Sequence, residues 1–77
     1  MQLFVKIPEG TKTITLNVVA SNTIKHIKNL IKKSDGIKRK DQRIVYNGPD
    51  YDFDLENDHT LFDYRIANET TVQLVRT

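Results

Sequence analysis

Apolar and polar positions alternate over residues 2–7, where Leu3, Val5 and Ile7 share one parity against Gln2, Phe4 and Lys6. The alternation returns over residues 13–18, with Ile14, Leu16 and Val18 set against Thr13, Thr15 and Asn17. A period of two places each apolar set on one face of a strand. Between the two runs, Pro8-Glu9-Gly10-Thr11 combines a fixed φ with a permissive glycine, which predicts a turn and hence a β-hairpin with one apolar face.

The period then changes. Ser21-Asn22-Thr23 offers three N-cap residues, and Ile24, Ile27, Leu30 and Ile31 follow at helical spacing before Gly36, which suits the residue just past a helix end. This predicts a helix over residues 23–34. Lys32 and Lys33 fall in its last turn, where the helix dipole favours cations, but Lys25 falls in the first turn, where it does not. His26 stands where a capping box needs Glu or Gln, so the helix depends mainly on burial of its isoleucine stripe.

Beyond the basic loop Lys38-Arg39-Lys40, residues 43–47 are rich in β-formers and end at Asn47-Gly48-Pro49, a strong turn signal. Ile44 and Tyr46 share one face and Val45 takes the other. Asp50-Tyr51-Asp52-Phe53-Asp54 reads as an acidic loop whose aromatics could fold back onto the sheet. Leu55, Leu61 and Ile66 are expected core contributors on irregular pieces. Residues 71–75 alternate again, with Val72 and Leu74 on one face and Gln73 and Val75 on the other. The predicted order is strand, strand, helix, strand, irregular, strand: an α+β fold in which one helix packs across one face of a mixed sheet.

Length and composition narrow this picture. With 77 residues the chain is expected to form a single domain, residues 1–77, burying barely ~60% of its unfolded surface. There is no cysteine, so packing alone must hold it together, as suits a reducing compartment. No apolar run approaches the ~18 residues of a membrane span, and the N-terminus does not read as a signal peptide. A soluble cytoplasmic or nuclear monomer without membrane contact is expected.

The formal net charge of +2 conceals a division: residues 1–43 hold 10 basic and 3 acidic side chains, whereas residues 44–77 hold 2 basic and 7 acidic ones. Lys25, Lys32, Lys33, Lys38, Arg39 and Lys40 are candidates for a positive face over the helix and the following loop. Lys28, four residues after Ile24, falls on the apolar stripe and is expected to bury its stem. Nucleic-acid binding is disfavoured, because no aromatic platform or groove-reading element accompanies these cations. Asp50, Asp52 and Asp54 have the spacing of calcium ligands, but Leu55 stands where the loop needs glycine and Leu61 where it needs a bidentate glutamate, so no metal is expected. His26 and His59 lack ligand spacing. No nucleophile, base and orienter can be assembled, so neither catalysis nor a cofactor is expected.

The residues also carry a family resemblance. Met1-Gln2-Leu3-Phe4-Val5-Lys6, Lys12-Thr13-Ile14-Thr15-Leu16, Thr23-Ile24, Gly36-Ile37, Gln42-Arg43-Ile44-Val45-Tyr46-Asn47-Gly48, Thr60-Leu61-Phe62-Asp63-Tyr64 and Glu69-Thr70-Thr71-Val72-Gln73-Leu74-Val75 resemble ubiquitin, collinearly and over nearly the whole chain. The resemblance implies the β-grasp fold and a non-enzymatic role in which other proteins handle the molecule. It also implies a recognition face on the sheet: Val45 matches that family's central isoleucine, Val75 a valine, Gly48 a glycine and Arg43 an arginine, while Gln73 replaces a histidine. The leucine at the family's first hairpin tip has no counterpart, which implies a smaller, more polar patch.

Lys6, Lys12 and Lys28 match lysines that serve as linkage points in the family, whereas Pro49, Asn68, Leu30 and Ser34 replace others. A four-residue insertion around residues 51–54 lengthens the loop beside the recognition face. The family's di-glycine tail is not present through Thr77. Together these features point to a docking domain, expected at the N-terminus of a longer protein, that binds ubiquitin receptors or proteasome and ubiquitin-pathway proteins without conjugation. The alternative is a covalent modifier whose di-glycine tail lies beyond Thr77.

Overall fold

In a computed structural model, residues 1–7, 12–47 and 52–76 are described. Strand β1 (Gln2–Ile7) and strand β2 (Lys12–Asn17) pair antiparallel, with Leu3 opposite Leu16 and Val5 opposite Ile14. Helix α1 (Ile24–Asp35) follows, then a 3-10 turn (Arg39–Asp41) leading directly into strand β3 (Gln42–Asn47). Strand β4 (Asp52–Asp54) and strand β5 (Thr70–Arg76) complete a five-stranded sheet in the order β2-β1-β5-β3-β4. β5 runs parallel to β1 and antiparallel to β3. The sheet is therefore mixed, as the element order predicts, and its inner face carries the helix: the β-grasp arrangement.

Strand parity decides what is buried. Leu3, Val5, Ile7, Ile14, Leu16, Ile44, Val72 and Leu74 line the inner face and are buried. Ile24, Ile27 and Ile31 of α1 are fully buried against them, joined by Leu55, Leu61 and Ile66 from the irregular stretch. Burying side chains of this size contributes roughly 1.5–3 kcal/mol each before the entropy of ordering the chain is charged. Leu30 is only half-buried, at the margin of the stripe.

The helix begins and ends one residue later than predicted, because Thr23 is its N-cap. The Thr23 hydroxyl oxygen accepts a hydrogen bond from the His26 amide at 3.2 Å. Gly36 closes the far end at φ 73°, a left-handed conformation in which a Cβ would be strained, and its amide donates to the Lys32 carbonyl at 2.8 Å. Nothing in the first turn is acidic, so that end is satisfied by the Thr23 cap and by the carbonyls of His59 and Asn57, which accept from the Ile24 and Lys25 amides.

The expectation of a loop through residues 50–54 is corrected for its last part. Residues 52–54 form β4, with Asp54 opposite Val45, Phe53 opposite Tyr46 and Asp52 opposite Asn47. Aspartate is a poor strand former, yet two side-chain contacts outweigh propensity here. Phe53 stacks on Tyr46 with ring centroids 6.3 Å apart on the inner side, and Asp54 is held by Arg43 on the outer side. The turns expected at residues 8–11 and 48–51 lie outside the described residues, as does Tyr51.

Between β4 and β5 the chain is tied down by backbone hydrogen bonds. Ile24 and Lys25 donate to the carbonyls of His59 and Asn57, and Glu69 donates to that of Gln2 at 2.8 Å. Arg65 and Glu69 both adopt positive φ, at 54° and 64°, a conformation that costs non-glycine residues about 1–2 kcal/mol. The surrounding contacts overcome that cost. Asn68 Oδ1 accepts from the Gln2 amide at 2.7 Å, fixing the segment against the start of β1.

Candidate functional site

The outer face of the sheet collects the residues of opposite parity. One lateral row runs Thr13, Lys6, Gln73, Val45 and Asp54 across β2, β1, β5, β3 and β4, and a second runs Thr15, Phe4 and Thr71. Arg43 faces Val75 in the β3–β5 pairing. The sheet thus brings Arg43, Val45, Gln73 and Val75 together on one surface, while Gly48 lies outside the described residues.

Their exposure is uneven. Arg43 and Gln73 are exposed and Val75 is half-buried, while Val45 is only 9% exposed. The register explains why: Val45 is flanked by Gln73 on one side and by Asp54, from strand β4, on the other. Phe4, half-buried on the same face, is an additional apolar contributor. Its signal in the sequence is the parity it shares with Gln2 and Lys6.

Arg43 and Asp54 form a two-point ion pair, Nε to Oδ1 at 2.7 Å and Nη2 to Oδ2 at 2.8 Å. Hydrogen bonding to the guanidinium holds the Asp54 carboxyl below its usual range, and the same bond raises Arg43. Both side chains remain more than half exposed, so the pair ties β4 to β3 while still presenting charge to solvent. Any partner reaching for Arg43 meets a guanidinium whose fork is already occupied by a carboxylate.

Residues 3–77 match the model of the ubiquitin family. The chain belongs to the ubiquitin family. It is 32% identical over 76 residues to Ubiquitin domain-containing protein DSK2 of Saccharomyces cerevisiae, covering 99% of this chain and 19% of that protein. The chain thus spans about a fifth of the length of that relative.

For a ubiquitin-family chain, lysine presentation matters. Lys6 is exposed, and Lys12 is largely exposed although its ammonium contacts Asp35 at 3.3 Å. Lys28 differs: it is 9% exposed on the helix face turned to the sheet, and burial pushes its ammonium pKa down. Of the three lysines matched to family linkage points, Lys6 and Lys12 are exposed and Lys28 is largely covered.

Lys25, Lys32, Lys33, Lys38, Arg39 and Lys40 are all exposed on α1 and the turn that follows it. Of the carboxylates invoked for calcium, Asp54 is engaged by Arg43. His59 stacks on Tyr64 at 5.6 Å and contacts Glu56 at 3.3 Å, while the Tyr64 hydroxyl accepts from the Glu56 amide. His59 and Tyr64 thereby organise a loop. Sequence reasoning missed one surface: Phe62, 64% exposed, and Val19, 55% exposed, are the exposed large apolar side chains among the described residues. The Phe62 amide donates to the Ala20 carbonyl, bringing the two stretches together, and Arg65 lies over the Phe62 ring at 6.0 Å.

Proposed function

We propose that this chain is a docking domain of the ubiquitin family, carried within a longer protein, which presents its outer sheet face non-covalently to ubiquitin receptors or to proteasome and ubiquitin-pathway proteins. The observation that carries the reading is the juxtaposition of Val75, Gln73 and Val45 on adjacent strands, with Phe4 behind them and Arg43 at the rim, on the face away from the helix. Its similarity to a stretch of a protein described as containing a ubiquitin domain supports a domain role. No chemistry is required of such a surface. Binding would come from covering half-buried Phe4 and Val75 around Val45, and selectivity from the surrounding charge.

The Arg43–Asp54 pair shapes what can bind. A receptor that inserts an aliphatic side chain over Val45 must do so beside a neutralised ion pair rather than a free arginine. We include Gly48 in the proposed surface because its sequence position resembles that of the family's glycine. Titrating the isotope-labelled chain with ubiquitin-binding receptor modules tests the reading. Amide shifts are expected over residues 43–47 and 71–76; absence of shifts there, at concentrations that saturate ubiquitin, would exclude it.

A further inference from the structure

The helix side of the molecule carries a second surface. Lys25 and Lys32 lie seven residues apart on α1, which returns them to nearly the same angular position, roughly 10 Å apart along the axis. Lys33 sits beside Lys32, and Lys38 and Arg39 follow across the Gly36 cap. All five are exposed, and among the described residues none of the five makes an ion pair. The acidic groups within the same stretch do little to cancel them: Asp35 is engaged by Lys12, leaving half-exposed Asp41. Asp58, beside the start of the helix, is the acidic neighbour at the other end.

These cations also stand on a rigid frame. Gln42 is 4% exposed, and its Nε2 donates to two carbonyls, that of Lys28 at 3.0 Å and that of Ile37 at 2.8 Å. One side chain therefore fixes the 3-10 turn against the helix, with Ile37 buried beneath as a further anchor. Folding accounts for only part of this charge distribution, since the dipole favours Lys32 and Lys33 in the last turn but not the others. Lys25 lies in the first turn, where the dipole disfavours a cation, and no acidic residue offsets it there.

We infer that the exposed face of α1 and the adjoining turn, carrying Lys25, Lys32, Lys33, Lys38 and Arg39, is a second docking surface that takes a carboxylate-rich segment of a partner protein. Charge complementarity identifies the occupant. Residues 23–41 contain no Phe, Tyr or Trp on which a base could stack, and most of the cations are lysines, which act as point charges rather than forks. The span from Lys25 to Lys32 matches about three residues of extended chain, so acidic side chains on one edge of an extended peptide can reach both ends. Because α1 packs on the inner face of the sheet, this surface and the outer sheet face point in opposite directions and can be occupied together. The inference stands independently of the sheet-face reading.

The test is a titration of the labelled full chain with a synthetic ten-residue Glu/Asp-rich peptide, with a Gln/Asn version of the same length and with a single-stranded RNA of equal charge. The acidic peptide is expected to shift amides over residues 24–41 while leaving residues 71–76 unmoved, and the neutral peptide to shift none. Reversing Lys32→Glu and Lys33→Glu should weaken the acidic peptide roughly tenfold, and raising salt from 50 to 200 mM should weaken it further. The milder Lys32→Gln, Lys33→Gln variant, expected to lose about half that effect on a logarithmic scale, secures the result if the reversal perturbs folding. Absence of shifts over residues 24–41, binding unchanged by both variants, or tighter binding of the RNA than of the acidic peptide would overturn the inference.

Discussion

The two faces of the sheet are built from the same strands, yet one is closed and the other is negotiable. On the inner face, Leu3, Val5, Ile44, Val72 and Leu74 are buried to within 1% exposure and meet the isoleucines of α1. On the outer face their immediate neighbours, Phe4, Arg43, Val45, Gln73 and Val75, range from buried to exposed. Chain parity assigns each residue to a face, but it does not say how a face is covered. The inner face is covered by a helix, which keeps water from its centre. The outer face is covered only by its own side chains and by β4, whose Asp54 holds Arg43 beside Val45. Burial on one side thus serves stability, and partial cover on the other leaves something for a partner to complete.

Adjacent residues in β5 offer the strongest way to break this contrast. Leu74→Ala, at a fully buried inner position, is expected to cost about 3 kcal/mol in urea unfolding, a large share of the stability of so small a domain. Val75→Ala, one residue on, should cost under ~1 kcal/mol in the same experiment yet weaken a receptor that uses the outer face by roughly tenfold, read by calorimetric titration. Equal stability losses at the two positions would show that the faces do not differ as described.

Lys28 is the exception on the inner side, and it sharpens the comparison. Burial lowers its pKa, so its charged form costs stability at neutral pH, and stability should rise as pH climbs through the depressed folded value towards the unfolded one. Lys28→Met keeps the buried stem and removes the charge. It is expected to raise the melting temperature at pH 7 by a few degrees and to abolish that alkaline rise relative to the parent chain.

The smallest effect belongs to the outer clamp. Asp54 is held below the usual carboxylate range by the Arg43 hydrogen bond, and Asp63 by the Thr60 amide, so both bind protons less readily folded than unfolded. The stability they contribute is present above the unfolded carboxylate pKa, about 4, and is lost as pH falls through the lower folded values. Thermal melts between pH 5 and 2 should show this loss. Asp54→Asn together with Asp63→Asn should flatten it.

Much of the fold was legible because burial follows simple periods. Leu3, Val5 and Ile7, Ile14 and Leu16, and Val72 and Leu74 carry the period-two signal of strands buried on one side. Thr23 and Gly36 bracket a helix whose isoleucine stripe repeats at three and four residues. The candidate surface was only partly legible. Collinearity with the family points to Arg43, Val45, Gln73 and Val75 as neighbours, but nothing local to Val45 reveals that it is covered. β4 escaped notice because Asp52-Phe53-Asp54 has the composition of a loop, and its pairing depends on Tyr46 and Arg43, distant in sequence. The Phe62 and Val19 surface escaped for the same reason: two isolated apolar residues mean little until a backbone hydrogen bond joins their segments.

By itself, the sequence determined the alternation of faces, the helix and its caps, the absence of cysteine chemistry and the membership of a family, since all of these depend on local spacing or collinear similarity. Only the tertiary structure decided which apolar residues on the outer face remain available, that Phe62 and Val19 are exposed, and that the acidic residues 52–54 become an edge strand. Those outcomes rest on contacts between residues far apart in the chain, whose energies arise only once the strands are paired and the helix is seated.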